Sequence, residues 1–214
     1  MACGPVLYSN VGHNVPFFHE KGEVSGKISY VASDGGESAS GIGIQGAYSV
    51  SDKVALISNF YSMKGDYSGD NEWEGNGSYV EIGGGLFGGG STKKFLYDAF
   101  AGIGTGSIKN QSVTNTEFIN VKFFKPFIQP SFGFSSRYFD IALTPRVAYL
   151  AYTSKDDFKF VQDGDQLDPI QYFNKNNKQF LFEPGITIRG GIPVVKLELQ
   201  YSYSTLGEPL SDIR

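Results

Sequence analysis

The chain has 214 residues, a net charge of −4, 28 glycines, 18 Phe and 13 Tyr, and only 19% charged residues. That length fits a single domain, and glycine and aromatic residues without Ala-, Leu- and Glu-rich runs exclude a helical bundle and favour strands and turns. The lysines are scattered, which argues against a nucleic-acid partner; no stretch approaches the ~20 apolar residues of a membrane helix, although a barrel strand needs only about ten with every second one apolar.

Residues 1–20 precede the first expected strand. Cys3 is the single cysteine, so no internal disulfide forms. Met1-Ala2-Cys3-Gly4 places a small residue before a cysteine, followed by a Pro- and Asn-containing stretch, as at the end of a bacterial lipoprotein signal stripped of its hydrophobic region. Cys3 is therefore a candidate lipidation site; the plain alternative is a free thiol near a terminus.

From residue 21 onward, apolar and polar residues alternate. Ile42, Ile44, Gly46, Tyr48 and Val50 oppose Gly43, Gln45, Ala47 and Ser49, and Val80, Ile82, Gly84 and Leu86 oppose Tyr79, Glu81 and Gly83. Two segments read less cleanly: 54–63 has no clear parity, and 95–103 sets Asp98 among apolar neighbours. Phe124, Pro126, Ile128, Pro130, Phe132 and Phe134 oppose Phe127, Gln129, Ser131 and Gly133. In 138–152, Phe139, Ile141, Leu143, Pro145, Val147 and Tyr149 oppose Asp140, Ala142, Thr144, Arg146 and Ala148. Phe180, Phe182, Pro184, Ile186 and Ile188 alternate with Leu181, Glu183, Gly185, Thr187 and Arg189. In the last clear segment, Val195, Leu197, Leu199, Tyr201 and Tyr203 alternate with Lys196, Glu198, Gln200, Ser202 and Ser204. A period of two places one face in an apolar medium and the other in a polar one. The pattern predicts strands over 22–33, 39–50, 54–64, 77–88, 94–107, 118–135, 138–153, 178–190 and 194–205.

Short turns at 51–53, 88–93, 135–137 and 190–193 alternate with polar links at 33–40, 65–76, 109–117 and 154–178. An up-and-down membrane barrel sorts its connections in this way. The expected fold is all-β: an up-and-down antiparallel outer-membrane β-barrel of eight to ten strands, with 1–20 as an N-terminal lipoprotein-like segment and 21–214 as the barrel. Nine segments are an odd number, so closure as ten requires a further strand from residues 5–20 or from beyond Arg214. Alternation alone does not say which face points inward. A soluble calycin-like barrel binding an apolar ligand would turn the apolar parity in.

Little in the chain suggests chemistry. His13 and His19 both precede the first strand, where neither sits on a barrel wall beside a carboxylate or serine, and no catalytic residue is assigned. Asp163, Asp165 and Asp168, and Asp66, Asp70, Glu72 and Glu74, are acidic loop groups with oxygen ligands for calcium, but neither has the spacing of a twelve-residue calcium loop. Solvated loops are the simpler reading, and no metal or cofactor is expected. The glycine runs 83–85 and 88–90 lack the Lys-Ser/Thr and helix of a phosphate loop. Trp73 falls in a link. Glu81, Arg146, Glu183, Arg189, Lys196 and Glu198 share the polar parity. Inside a narrow barrel these charges must pair, giving a charge network that plugs the lumen or, alternatively, lines a pore.

Ala2-Cys3-Gly4-Pro5, Asn14-Val15-Pro16-Phe17-Phe18 and Glu20-Lys21-Gly22-Glu23 together resemble the start of a group of uncharacterised Bacteroidota outer-membrane lipoproteins. The likeness is confined to this N-terminal stretch; the rest is alike only in barrel style. It implies an outer-membrane location and a lipid on Cys3, and it is silent about activity. The function expected is that of a non-enzymatic envelope component in contact with outer-membrane lipid and other outer-membrane proteins. A narrow channel or ligand-binding barrel with a polar interior is the alternative.

Overall fold

The computed structural model describes residues 8–34, 38–67, 73–90, 94–113, 116–153, 158–159 and 177–204. The strands are β1 (Val24–Asp34), β2 (Ser38–Ser49), β3 (Val54–Tyr67), β4 (Trp73–Gly89), β5 (Phe95–Ser112), β6 (Phe118–Ser135), β7 (Phe139–Tyr152), the two-residue β8 (Phe158–Lys159), β9 (Lys178–Gly191) and β10 (Lys196–Ser202). Each pairs antiparallel with the next in one curled sheet, in the order β1-β2-β3-β4-β5-β6-β7-β9-β10, while β8 adds to the far end of β6. The fold is all-β and up-and-down, an open barrel.

Side-chain direction follows the sequence period. Ile28, Ile44, Leu56, Phe60, Ile82, Ile128, Leu143, Phe182 and Leu199 are exposed on the outer face, whereas Gln45, Asn59, Glu81, Lys125, Arg146 and Glu183 are buried within. The apolar parity therefore points outward. The segment without clear parity resolves with Ala55, Ile57, Asn59, Tyr61 and Met63 inward, and Asp98 also faces in, opposite Ser131.

Two expectations about connections need correction. Much of 65–76 and 109–117 is strand: β3 and β4 pair as far as Tyr67 and Trp73, and β4 and β5 as far as Trp73 and Ser112. These stretches read as polar links because their outward positions, such as Glu74, Asn76, Lys109 and Gln111, are polar. Trp73 accordingly opens β4 and is buried. Secondly, described residues 8–20 do not supply a closing strand; residues 8–18 run through the interior.

Inward glycines admit the rings of adjacent strands. Gly43 pairs with Tyr61, and a Cβ on Gly43 would stand 2.6 Å from that ring; Gly106 stands in the same relation to Phe123. The β6–β7 ladder lapses around Pro126 and again around Pro130, neither of which has an N–H to donate.

β1 and β10 form the edges and are not hydrogen-bonded to each other among the described residues. Their inner faces approach closely enough for Lys27 Nζ to meet Glu198 Oε1 at 2.5 Å. Those two residues lie in different register rows: from Lys27 the partners run to Gln45, Asn59 and Glu81, and from Glu198 to Arg189, Asp140 and Ser135. Such a stagger is what tilted strands acquire when a sheet curls.

Candidate functional site: a polar lumen filled by the N-terminal segment

Among the described residues, ionisable groups converge in the interior. Arg146 of β7 reaches across to Glu81 of β4, donating from Nη2 to Oε2 at 2.6 Å and from Nη1 to Oε1 at 3.2 Å. Its Nε lies 3.4 Å from Glu183 Oε2 of β9, and its guanidinium stacks 4.0 Å above the Phe127 ring. Lys125 of β6 sits 3.3 Å from the same Glu183 oxygen. Asn59 and the Tyr79 hydroxyl each donate to Glu81 at 2.5 Å. Two acids thus face two bases, all four buried from solvent, where an unpaired charge is costly and a hydrogen-bonded pair is tolerated.

A second group lies toward the end of the wall that carries the turns 50–53, 136–138 and 192–195. Arg189 donates to Glu198 at 2.6 Å, Lys27 completes that pair, and Lys196 holds Asp140 at 2.8 Å. All six charged residues expected on the polar parity are thus inside, divided between two clusters. Sequence reasoning missed Lys125, Lys27 and Asp140 as members. Lys125 has the inward parity of Phe127 and Gln129, so the strand period was the signal available for it.

The larger omission is residues 8–18. They thread the lumen from Tyr8, beside Lys125 and Phe123, to Phe17 and Phe18, which pack by Gly133 and Phe87 near the short turns. The Tyr8 hydroxyl donates to Glu183 and accepts from Lys125 at 2.6 Å. Asn14 Nδ2 donates to Asn59 Oδ1 at 2.8 Å and to the Gly46 carbonyl at 3.0 Å. Beyond this polar middle, toward the end of the wall where β4 begins at Trp73 and β5 ends at Ser112, the interior turns apolar around Tyr8, Met63, Trp73, Ile119, Val121, Phe123, Leu150 and Leu181. A filled polar middle below an apolar cap leaves the lumen occupied.

His13 is fully buried at the centre, and neither ring nitrogen has a hydrogen-bond partner among the described residues. It therefore lacks the base-and-orienter contacts of a catalytic histidine. His19 is exposed, 3.9 Å from Glu23. No group of three His, Cys, Asp or Glu is arranged for a metal among the described residues. Cys3 and Asp163, Asp165 and Asp168 lie outside them, as do Asp70 and Glu72, while Asp66 pairs with Glu74 across β3 and β4.

Comparison of the chain with protein-family models, with curated proteins and with solved structures finds no match.

Proposed function

We propose that this chain is a non-enzymatic outer-membrane β-barrel lipoprotein, a structural or accessory subunit of an envelope assembly, lipidated at Cys3. The observation that carries this reading is the inversion of the wall. Along much of its height its outer face is apolar and exposed, strand after strand, while Glu81, Lys125, Arg146 and Glu183 are buried inside. A water-soluble monomer rarely exposes an apolar patch beyond a few hundred Å².

The outer face also has a boundary. Phe60, Val80, Thr105 and Phe124 lie in one register row; the next row toward the long links is Ser62, Ser78, Ser107 and Lys122, and the one after it Lys64, Asn76, Lys109 and Asn120. The outward side thus changes from apolar to polar along a line that crosses four strands. At that line the inward side changes the other way, to Tyr61, Met63, Val121 and Phe123. This double change supports strands that leave a hydrocarbon layer and continue into water. From Phe124 to Phe134, β6 covers roughly 33 Å at ~3.3 Å per residue, which a tilt of about 40° reduces to about 25 Å, the height of an outer-membrane apolar band.

The reading is tested by fractionation and by gel mobility with and without heating. The protein should sediment with outer membranes, migrate faster unheated than boiled, and lose fatty-acid labelling on Cys3→Ala. A water-soluble monomer purified without detergent overturns it. The occupied lumen weighs against the channel alternative, for which reconstituted conductance altered at Arg146 or Glu198 is the test. An outward apolar parity is the reverse of what a calycin-like barrel requires.

A further inference from the structure

The N-terminal segment makes no ladder with the sheet, yet its backbone is bound. Its consecutive carbonyls are each taken by wall side chains. Gly12 O accepts from Tyr61 OH at 2.5 Å and from Gln45 Nε2 at 3.4 Å. His13 O accepts from Gln200 Nε2 at 3.0 Å and Lys27 Nζ at 3.4 Å, Asn14 O from Gln129 Nε2 at 2.7 Å, and Val15 O from Arg189 Nη2. The His13 N–H donates to Gln200 Oε1 at 2.5 Å. These donors and acceptors come from β1, β2, β3, β6, β9 and β10, all round the wall. Gln45, Gln129 and Tyr61 are themselves almost wholly buried.

Several features select what the site accepts. A Cβ on Gly12 would stand 2.6 Å from Gln200 Oε1. Tyr8 completes the Lys125–Glu183 pair, Asn14 is held by its amide, and the Phe17 ring fills the notch left by Gly133. Phe17 is the only non-glycine residue with positive φ among those described, at 51°; a left-handed backbone is intrinsically unfavourable for a residue with a Cβ, so the surrounding contacts hold it there. After Phe18 the chain leaves the interior, and His19, Glu20, Lys21 and Gly22 form an exposed tether to β1.

We propose that the lumen is a binding site for one extended polypeptide segment, with residues 8–18 as its resident ligand, replaceable by a peptide supplied in trans. The contacts fall on the ligand's backbone and on Tyr8, Gly12, Asn14 and Phe17, so the ligand class is an extended peptide with those residues at that spacing. The inference concerns the interior alone and stands whether or not the wall faces lipid.

The test cuts the tether in the folded full-length chain. A protease site is inserted between Lys21 and Gly22, the protein is folded in detergent and cleaved, and a fluorescent peptide of residues 8–20 is added in excess. The labelled peptide is expected to replace the resident one and saturate at one per barrel. Peptide Gly12→Val should bind at least tenfold more weakly, as should the native peptide on a barrel carrying Arg189→Ala. A resident segment that does not exchange after prolonged incubation overturns the proposal, and so does equal uptake of the Gly12→Val peptide. Should the insertion block folding, limited cleavage after exposed Lys21 in the unmodified chain gives the same readout. Exchange in a protein found to be water-soluble would sink the membrane reading and leave this one standing.

Discussion

Arg146 of β7 and Glu81 of β4 meet through two hydrogen bonds across the lumen, and neither side chain touches solvent. Glu183, Lys125 and Tyr8 extend the contact to β6, β9 and the N-terminal segment. One guanidinium thus ties opposite walls and the lumen contents together. Removing a single partner leaves a buried charge uncompensated, at a cost of about 3–5 kcal/mol. Arg146→Met should lower the unfolding free energy of the detergent-folded protein by that order in urea titrations. Adding Glu81→Gln should recover part of the loss, because the stranded carboxylate is then gone. A loss below about 1 kcal/mol for Arg146→Met would show that the pair does not hold the interior together.

The ring-over-glycine packing gives a second, purely steric expectation. A Cβ at Gly106 would lie 2.5 Å from Phe123 Cζ and 2.7 Å from the Ser78 carbonyl oxygen, whereas one at Gly90 meets nothing within 4 Å. Gly106→Val should therefore destabilise by about 1–3 kcal/mol through overpacking, and Gly90→Val should stay within about 0.5 kcal/mol. The comparison is read from urea midpoints at unchanged m-value. Equal midpoints for the two variants would count against the packing described.

The wall was legible because a strand's period of two shows wherever its two faces meet different media, as in Phe139–Tyr152. Legibility failed where that contrast weakens. In Trp73–Asn76 and Lys109–Ser112 the outward side is polar and the inward side mixes small, aromatic and polar residues, so strand looks like loop. The charge network was half visible: parity placed Glu81, Arg146 and Glu183 on one face but could not say which side chains meet across a lumen. The N-terminal segment was invisible for a different reason. Its partners are Gln200, Arg189, Gln129 and Tyr61, far away in the chain and on several strands, and an extended backbone held by side chains leaves no periodic trace.

His13 and Asn14 make adjacent but opposite cases. The His13 imidazole is buried with both nitrogens unbonded among the described residues, while Asn14 is bonded to Asn59 and to Gly46 O. A buried polar group without a partner costs about 1–3 kcal/mol, and removing a satisfied one strands its partners at similar cost. His13→Leu should be neutral or stabilising by up to about 2 kcal/mol, and Asn14→Leu destabilising by about 1–3 kcal/mol. Thermal denaturation of the two variants side by side decides it; a destabilised His13→Leu would mean the imidazole has a bonding role.

The outer face can be tested by depth. Ile128 sits midway along the apolar row of β6, in register with Ala101 and Val147, while Ser107 lies on β5 in the row that begins the polar zone. An arginine near the midplane of a membrane barrel costs about 2–4 kcal/mol on the lipid face, falling to about 0–1 kcal/mol near the interface. Ile128→Arg should lower folding yield and stability in lipid vesicles by the larger amount, and Ser107→Arg by the smaller. In a water-soluble protein the sign changes at Ile128, since a charge replacing an exposed isoleucine would be neutral or would improve solubility. Urea unfolding of both variants from vesicles therefore separates the two environments. Equal, small effects at the two positions would remove the boundary between Phe124 and Lys122 as a membrane edge.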